Sequence, residues 1–284
     1  MRIDFYLIET PNNISFSDLL RDARPDNEHR VQNVNDRTVR LQQIHRREDG
    51  LWECEMIRIR MDEVPIVAGL DGHLAVVDLE DDEGIGEESC FLYDERTGVM
   101  VIQRNRFGVS ASVVARFFEQ VGALPEPVVP TVILERDAIA MLSRMQDVRR
   151  FTVRFAGVRN PKLLTQHKPS TASAIQLIGD FKVPSIEIKI SMGRQRGAFP
   201  LRDVLRQAKQ FMQRDDVEKL RAYGKWDDGN PREIDIFSYA MVEEETVAPD
   251  ANRNLPYTDR IAALRAAFNR RKDELQDLYP TQGS

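Results

Sequence analysis

Residues 149–214 read RRFTVRFAGVRNPKLLTQHKPSTASAIQLIGDFKVPSIEIKISMGRQRGAFPLRDVLRQAKQFMQR and hold fourteen Lys or Arg against three Asp or Glu. The whole chain carries a formal net charge of -6. Concentrated positive charge raises the local potential, and a polyanion that binds it gains free energy by releasing condensed counterions. A charge run is also typical of a solvated surface. The spacing of the cations therefore decides between binding and solvation.

Two segments of this stretch, residues 150–156 and 185–192, alternate with the period of a β-strand. In the first segment apolar residues alternate with Arg150 and Arg154, and in the second the apolar face lies opposite Lys189. Successive side chains of a strand point to opposite faces of its sheet. The pattern predicts a sheet with one partly basic side.

Residues 200–213 have the apolar period of a helix, with a basic row along the other side. A loop bracketed by glycines precedes this helix and presents two Arg that could reach a phosphate backbone. Together the strands, loop and helix predict a basic surface that binds DNA phosphates. The residues predicted to contact DNA are Arg150, Arg154, Lys189, Arg194, Arg196, Arg202, Arg206 and Lys209.

The composition, with 42% hydrophobic and 30% charged residues in 284, is typical of a globular protein of one large domain or two ordinary ones. The sequence has no apolar run of membrane-spanning length, and its first residues do not form a signal peptide. Cys54 and Cys90 predict reduced thiols in a cytoplasmic protein. The four His show no metal-ligand spacing, and we expect no metal and no cofactor.

An acidic segment, residues 61–95, contrasts with the basic stretch because it holds twelve Asp or Glu and no Lys or Arg. Its run at residues 80–83 could bind a divalent metal, but a mobile solvated loop is the favoured interpretation. We predict an α+β protein with mixed or antiparallel sheets and flanking helices in two associated lobes. Residues 1–124 would form the first lobe with the acidic loop, and 125–284 the second lobe with the basic face and the terminal helix.

Secondary structure is predicted elsewhere from periodicity and turn signals. Two hairpins are expected in the first lobe, and a final helix over 258–279 has an apolar stripe that favours core packing over self-association. In the second lobe the patterns predict helices over 137–147 and 214–224 and a strand over 232–247.

Four motifs of the chain together resemble a known family. They are Phe91-Leu92-Tyr93, Arg104-x-x-Phe107-Gly108 before a helix opened by Ser110 or Ser112, Ile3-Asp4-Phe5-Tyr6, and Ser185-Ile186-Glu187-Ile188. On these motifs the chain resembles the RexA family of phage-exclusion proteins from lambdoid prophages. This resemblance implies a homodimer that binds double-stranded DNA with little sequence preference, with a fold similar to the recombination inhibitor RdgC and a role in antiviral defence by abortive infection. The resemblance is also compatible with a membrane protein as a binding partner. The long acidic loop over residues 61–95 departs from the family.

A second interpretation is a nuclease. Asp180 followed by Glu187-Ile188-Lys189 has the spacing of the Asp…Glu-x-Lys core of metal-dependent nucleases that resemble restriction endonucleases. In such a site Asp180 and Glu187 would hold Mg²⁺, and Lys189 would stabilise the attacking hydroxide or the phosphorane charge. The pattern is short and common by chance, so DNA binding without catalysis is favoured. A third interpretation is a protein-binding regulator whose basic face meets an acidic partner.

Overall fold

The structure is a computed structural model, and it describes residues 1–280 apart from 12–13, 24–29, 63, 137–143, 157–184, 196 and 213–216. The chain divides into two compact units. Unit 1 comprises Met1–Thr131 and Val242–Ser284, and unit 2 comprises Val132–Met241. The architecture is α+β, as the sequence predicts. In the described ranges, helices run over Phe16–Asp22 (α1), Ala111–Val121 (α2), Leu201–Met212 (α3) and Tyr257–Leu278 (α4).

Unit 1 is built around an eight-stranded sheet whose order is β14-β1-β8-β7-β4-β3-β2, with β9 paired to β1 beside this path. The two predicted hairpins are confirmed, and both turn at glycines with positive φ, Gly50 and Gly98. The strands are β1 (Arg2–Glu9), β2 (Val31–Val34), β3 (Arg37–Arg46), β4 (Leu51–Arg60), β7 (Ile85–Asp94), β8 (Val99–Gln103), β9 (Val129–Val132) and β14 (Val242–Glu244).

Helices cover both faces of this sheet. Helices α1 and α2 pack through aromatic residues such as Phe16 and Phe118, whose ring centroids are 5.2 Å apart. Helix α4 contacts β7 and β8 and buries its apolar stripe, which confirms the core-packing interpretation. The sequence analysis assigned this helix to the second lobe, but it belongs to unit 1. The reason is that β14 returns to pair with β1 just before α4 begins.

The two cysteines are free and buried, as expected of reduced thiols. They lie on neighbouring strands of unit 1, where Cys54 pairs with Phe91 and Cys90 pairs with Glu55. Side chains of directly paired residues share a face of the sheet, so this register puts the two thiols on opposite faces.

The acidic segment of unit 1 is only partly a loop. Residues 85–94 form β7 inside the sheet, so the predicted loop over 61–95 ends earlier than expected. Before β7 the chain forms a short hairpin of two strands, β5 (Val67–Ala68) and β6 (Leu74–Ala75). Four consecutive apolar residues, Cys90–Tyr93, are buried, so this part of β7 is covered on both faces of the sheet although the segment around it is acidic.

Unit 2 contains a four-stranded antiparallel sheet of order β11-β10-β12-β13. Helix α3 packs on one face of it, where the Phe211 ring lies 6.1 Å from that of Phe151 and 5.8 Å from that of Phe155. A 3-10 turn, Ile236–Tyr239, follows the last strand. The strands are β10 (Met145–Ala156), β11 (Ser185–Ser191), β12 (Val217–Trp226) and β13 (Pro231–Asp235).

Three secondary-structure predictions for unit 2 are wrong. The helix expected over 137–147 is replaced from Met145 onward by β10, and residues 137–143 lie outside the described part of the chain. The helix expected over 214–224 is strand β12 from Val217 onward, because this segment pairs with strands on both sides, and residues 213–216 lie outside the described part of the chain. The strand expected over 232–247 is broken by the 3-10 turn that Asp235 caps. Within the described residues, no helix has the length and apolar character needed to cross a membrane.

Candidate nucleic-acid interface

The face of the unit 2 sheet opposite α3 carries the predicted strand cations. Cross-strand pairing places Arg150 opposite Ser191, Thr152 opposite Lys189, and Arg154 opposite Glu187. Directly paired residues share a face, so Arg150, Arg154 and Lys189 point to the same side of the sheet. The sequence prediction of a partly basic sheet face is confirmed.

Strand β12 adds residues to this face that the sequence analysis missed. Its Lys219 pairs with Arg154, its Arg221 with Thr152, and its Tyr223 with Arg150. They were missed because the segment was predicted to be a helix. A period-two pattern in the sequence would have indicated a strand here, because outward Lys219, Arg221 and Tyr223 alternate with inward Leu220 and Ala222.

We call this surface the open sheet face. The middle of its two central strands presents cations and Tyr223, whereas acids lie on the two outer strands and at the start of β10, where Asp147 pairs with Lys225. A ligand that approaches the middle of the sheet therefore meets positive charge first. The open sheet face consists of Arg150, Thr152, Arg154, Glu187, Lys189, Lys219, Arg221, Tyr223, Glu233 and Asp235.

The arginines of the open sheet face are held in place by neighbours on the same face. The Arg150 guanidinium lies 4.6 Å from the Tyr223 ring centroid and donates to Glu233 at 2.9 Å, so it reaches across β12 to β13. Arg221 lies 3.3 Å from Asp235 and 3.6 Å from Glu233. Ion pairs at such exposed positions stabilise a protein by only about 0–1 kcal/mol, so these carboxylates orient the guanidiniums more than they neutralise them.

Two lysines of the same face differ from the arginines. Lys189 and Lys219 have no carboxylate within ion-pair distance among the residues that the structure describes. Lys189 is exposed, and Lys219 is partly exposed beside Arg154. Their ammonium groups can therefore meet an incoming anion without first breaking a described ion pair.

The loop after β11 is anchored to β10. The Arg149 guanidinium donates to the Gly193 carbonyl at 3.4 Å and to the Gln195 carbonyl at 3.0 Å. The backbone carbonyl of Arg149 accepts a hydrogen bond from Met192 N at 3.0 Å. These bonds position the predicted residue Arg194 at the end of the sheet, where it is exposed. The other predicted loop residue, Arg196, lies outside the described residues.

The basic helix does not continue the open sheet face. Because α3 packs its apolar side on Phe151 and Phe155, it covers the opposite face of the sheet. Arg206 is exposed there and lies 2.8 Å from Asp203. The side chains of Arg202 and Lys209 lie outside the described part. The single strand-loop-helix surface expected from the sequence is therefore split between two sides of unit 2.

The residues of the nuclease interpretation are only partly described. Glu187 and Lys189 lie on the same face of β11, as the Asp…Glu-x-Lys pattern requires, and Glu187 faces Arg154 across the ladder. Asp180 lies outside the residues that the structure describes. Within those residues, no group of three or more His, Cys, Asp or Glu is placed to hold a metal ion.

Charge is divided unequally between the units. The sequence of unit 2 holds 20 Lys or Arg and 13 Asp or Glu, a formal charge of +7. The sequence of unit 1 holds 20 Lys or Arg and 33 Asp or Glu, a formal charge of -13. The net charge of -6 for the whole chain thus conceals a basic unit, and by net charge unit 2 is the unit that attracts a polyanion more strongly.

Residues 16–274 match the model of a protein family described as a family of unknown function, DUF6731. No curated protein matches the chain. The family match does not bear on the resemblance to RexA, which stays a prediction.

Proposed function

The chain belongs to the DUF6731 family, and from its own charges we propose that it binds double-stranded DNA without sequence preference, through phosphate contacts made by the open sheet face. The observation that carries this proposal is the charge division, +7 on unit 2 against -13 on unit 1. Attraction between such a unit and a polyanion is the main term in non-specific DNA binding.

The dimensions of the open sheet face suit a phosphate backbone. Arg150 and Arg154 are four residues apart on one strand, which corresponds to about 13 Å. Successive phosphates of one DNA strand advance about 3.4 Å along the helix axis, so this length can reach more than one phosphate. Lys219 and Arg221 lie on the neighbouring strand, about 4.8 Å away. Several phosphates can therefore be contacted together.

The type of side chain supports binding without sequence preference. Contacts from Lys and Arg to phosphates fix the position of a protein on DNA but carry no sequence information. A planar guanidinium can bind two phosphate oxygens at once, and Arg150 is already oriented by Tyr223 and Glu233. Phosphate can replace the exposed carboxylate partner at little cost.

The test compares triple variants in which three cations become glutamine. The sheet variant should lose duplex affinity and much of its salt dependence, measured by fluorescence anisotropy across a range of salt concentrations. The control variant changes exposed cations of unit 1 and alters net charge equally, so its affinity should follow the wild type. The sheet variant is Lys189→Gln, Lys219→Gln, Arg221→Gln, and the control is Arg2→Gln, Arg21→Gln, Arg253→Gln.

A third variant separates the two basic sides of unit 2. It changes the helix cations that the sequence analysis also assigned to DNA, and we expect it to keep most of the duplex affinity. A loss in this helix variant but not in the sheet variant would move the binding site to α3. The helix variant is Arg202→Gln, Arg206→Gln, Lys209→Gln.

The resemblance to RexA adds three further parts to the proposal: an RdgC-like fold, a homodimer, and a role in the exclusion of superinfecting phage. The protein would act in the cytoplasm. The dimer is tested by sedimentation of the purified protein. The exclusion role is tested by the plating efficiency of phage on cells that express the wild type or the sheet variant. Equal protection by both proteins would separate any exclusion activity from DNA binding.

A further inference from the structure

Phe107 is an exposed aromatic ring in unit 1, on the turn that joins β8 to α2. The residue is 49% exposed, whereas the other Phe rings of unit 1 that pack with α2 are buried. An exposed aromatic surface costs free energy in water. The exposed part of the ring offers apolar surface that a ligand could cover.

The backbone of this turn is fixed by hydrogen bonds on both sides of the ring. The Asn105 side chain donates to the Glu88 carbonyl at 2.9 Å and accepts from Phe107 N at 3.1 Å. Arg58 donates to the Phe107 carbonyl at 3.1 Å. The ring is therefore presented by a preorganised turn, and a ligand does not have to pay for ordering it.

The next residue tightens the turn further. A Cβ at Gly108 would lie only 2.2 Å from the Ser89 hydroxyl oxygen, which accepts from Val109 N at 2.8 Å. Glycine is thus required for the turn to lie this close to β7.

Guanidinium groups surround the ring. Arg60 and Arg106 each lie 5.8 Å from the Phe107 ring centroid. Arg104 is exposed at the start of the same turn. Two acids pair with these cations: Glu87 lies 3.7 Å from Arg60, and Asp4 lies 3.8 Å from Arg104, whereas no acid lies within ion-pair distance of Arg106 among the described residues. The turn is a local basic patch within the acidic unit.

We propose that Phe107 stacks on an unpaired base of single-stranded DNA while Arg104 and Arg106 bind the flanking phosphates. Every base has a π-face, so an exposed ring beside cations binds single strands with little sequence preference. Arginine supplies a fork that fits phosphate oxygens. The site lies in unit 1 and uses none of the open sheet face, so it goes beyond duplex binding by unit 2.

The experiment measures binding of a fluorescent oligothymidine and of a duplex of equal length to the full chain. Phe107→Leu removes the π-face but keeps an apolar side chain, and it should weaken oligothymidine binding by about 5-fold to 150-fold, the range expected for loss of one stacked base. Duplex affinity should not change. Phe107→Tyr keeps the π-face and should bind oligothymidine as the wild type does.

A parallel series in the sheet variant separates this proposal from the proposed function. Phe107→Leu should cause the same fold-loss of oligothymidine affinity there, whether or not the sheet variant has lost duplex binding. The stacking proposal is overturned if wild type does not bind oligothymidine, if Phe107→Leu binds it as tightly as Phe107→Tyr, or if Phe107→Leu weakens duplex and single strand equally.

Discussion

Replacing Arg260 by methionine should destabilise unit 1 strongly, because this arginine joins α4 to the central sheet by buried ion pairs. Arg260 is 2% exposed, and its Nη2 lies 2.6 Å from Glu55 on β4 and 2.9 Å from Glu88 on β7. Its Nε donates to the Leu255 carbonyl at 2.9 Å. Methionine fills similar space without charge, so the change removes the ion pairs with little loss of packing.

The expected loss of unfolding free energy depends on the carboxylates that remain without Arg260. The Glu88 side chain is 45% exposed and can be solvated, but the Glu55 side chain is 5% exposed and would remain as a buried carboxylate without its partner. Removing one member of a buried pair typically costs about 3–5 kcal/mol. Burial raises the pKa of the Glu55 carboxyl and Arg260 opposes that rise, so without Arg260 the pKa should rise further. The destabilisation should therefore shrink at acidic pH, where the buried carboxyl takes up a proton.

The assay uses the position of the two tryptophans. Trp52 is buried in unit 1 and Trp226 in unit 2, so a Trp226→Phe background leaves Trp52 fluorescence to report on unit 1 alone. Urea unfolding in this background gives the free energy of unfolding of each variant. Adding Glu55→Gln to Arg260→Met removes the stranded charge and should recover much of the loss. A loss below about 1 kcal/mol for Arg260→Met, or no recovery in the double variant, would refute the reasoning.

Three further outcomes are expected. Gly224→Ala should destabilise unit 2 by about 1–3 kcal/mol in urea unfolding followed by Trp226 fluorescence, because the added Cβ would lie 2.0 Å from the Asp147 carbonyl oxygen; an unchanged midpoint would contradict this packing. Burial raises the pKa of Cys90 from 9.0 to about 12, so in this pH range the thiol of the unfolded chain loses its proton while the folded one keeps it. The free energy of unfolding should therefore fall as the pH rises through this range, and urea unfolding at successive pH values measures it. Duplex DNA incubated with Mg²⁺ should stay intact with wild type and with Glu187→Ala, and cleavage by wild type alone would favour the nuclease.

The strands with strict alternation could be predicted from the sequence. Phe151, Val153 and Phe155 repeat with period two between Arg and Thr, and only a strand puts all three on one buried face. The hairpins were predictable because Gly50 and Gly98 allow the positive φ that their turns need. In these elements the local sequence pattern alone predicts the secondary structure that the tertiary contacts also favour.

The segment that forms β12, which was predicted to be a helix, shows two competing apolar periodicities. Val217, Leu220 and Tyr223 repeat at the spacing of a helix, whereas Leu220 and Ala222 alternate with Lys219 and Arg221 as in a strand. Over so few residues neither pattern prevails, and pairing with β10 and β13 decides the outcome. Lys219 and Arg221 could not be assigned to the basic face until that pairing was known.

The division of the chain and of its cations depends on long-range contacts that no local pattern encodes. Ile3 pairs with Glu243, which returns the C-terminal segment to unit 1 from the far end of the sequence. Similarly, the helical row of Arg202, Arg206 and Lys209 is evident in the sequence, but the face of the sheet that α3 covers is not. Charge content could be predicted, and its distribution over two sides could not.

The most direct test of DNA binding by the open sheet face is the slope of log affinity against log salt concentration for a DNA duplex. Each phosphate contact contributes about 0.9 to that slope, so loss of Lys189, Lys219 and Arg221 in the sheet variant should flatten it by about 2.7. The control variant with the same net charge should keep the wild-type slope. Identical slopes for the wild type and the sheet variant would contradict binding through this face.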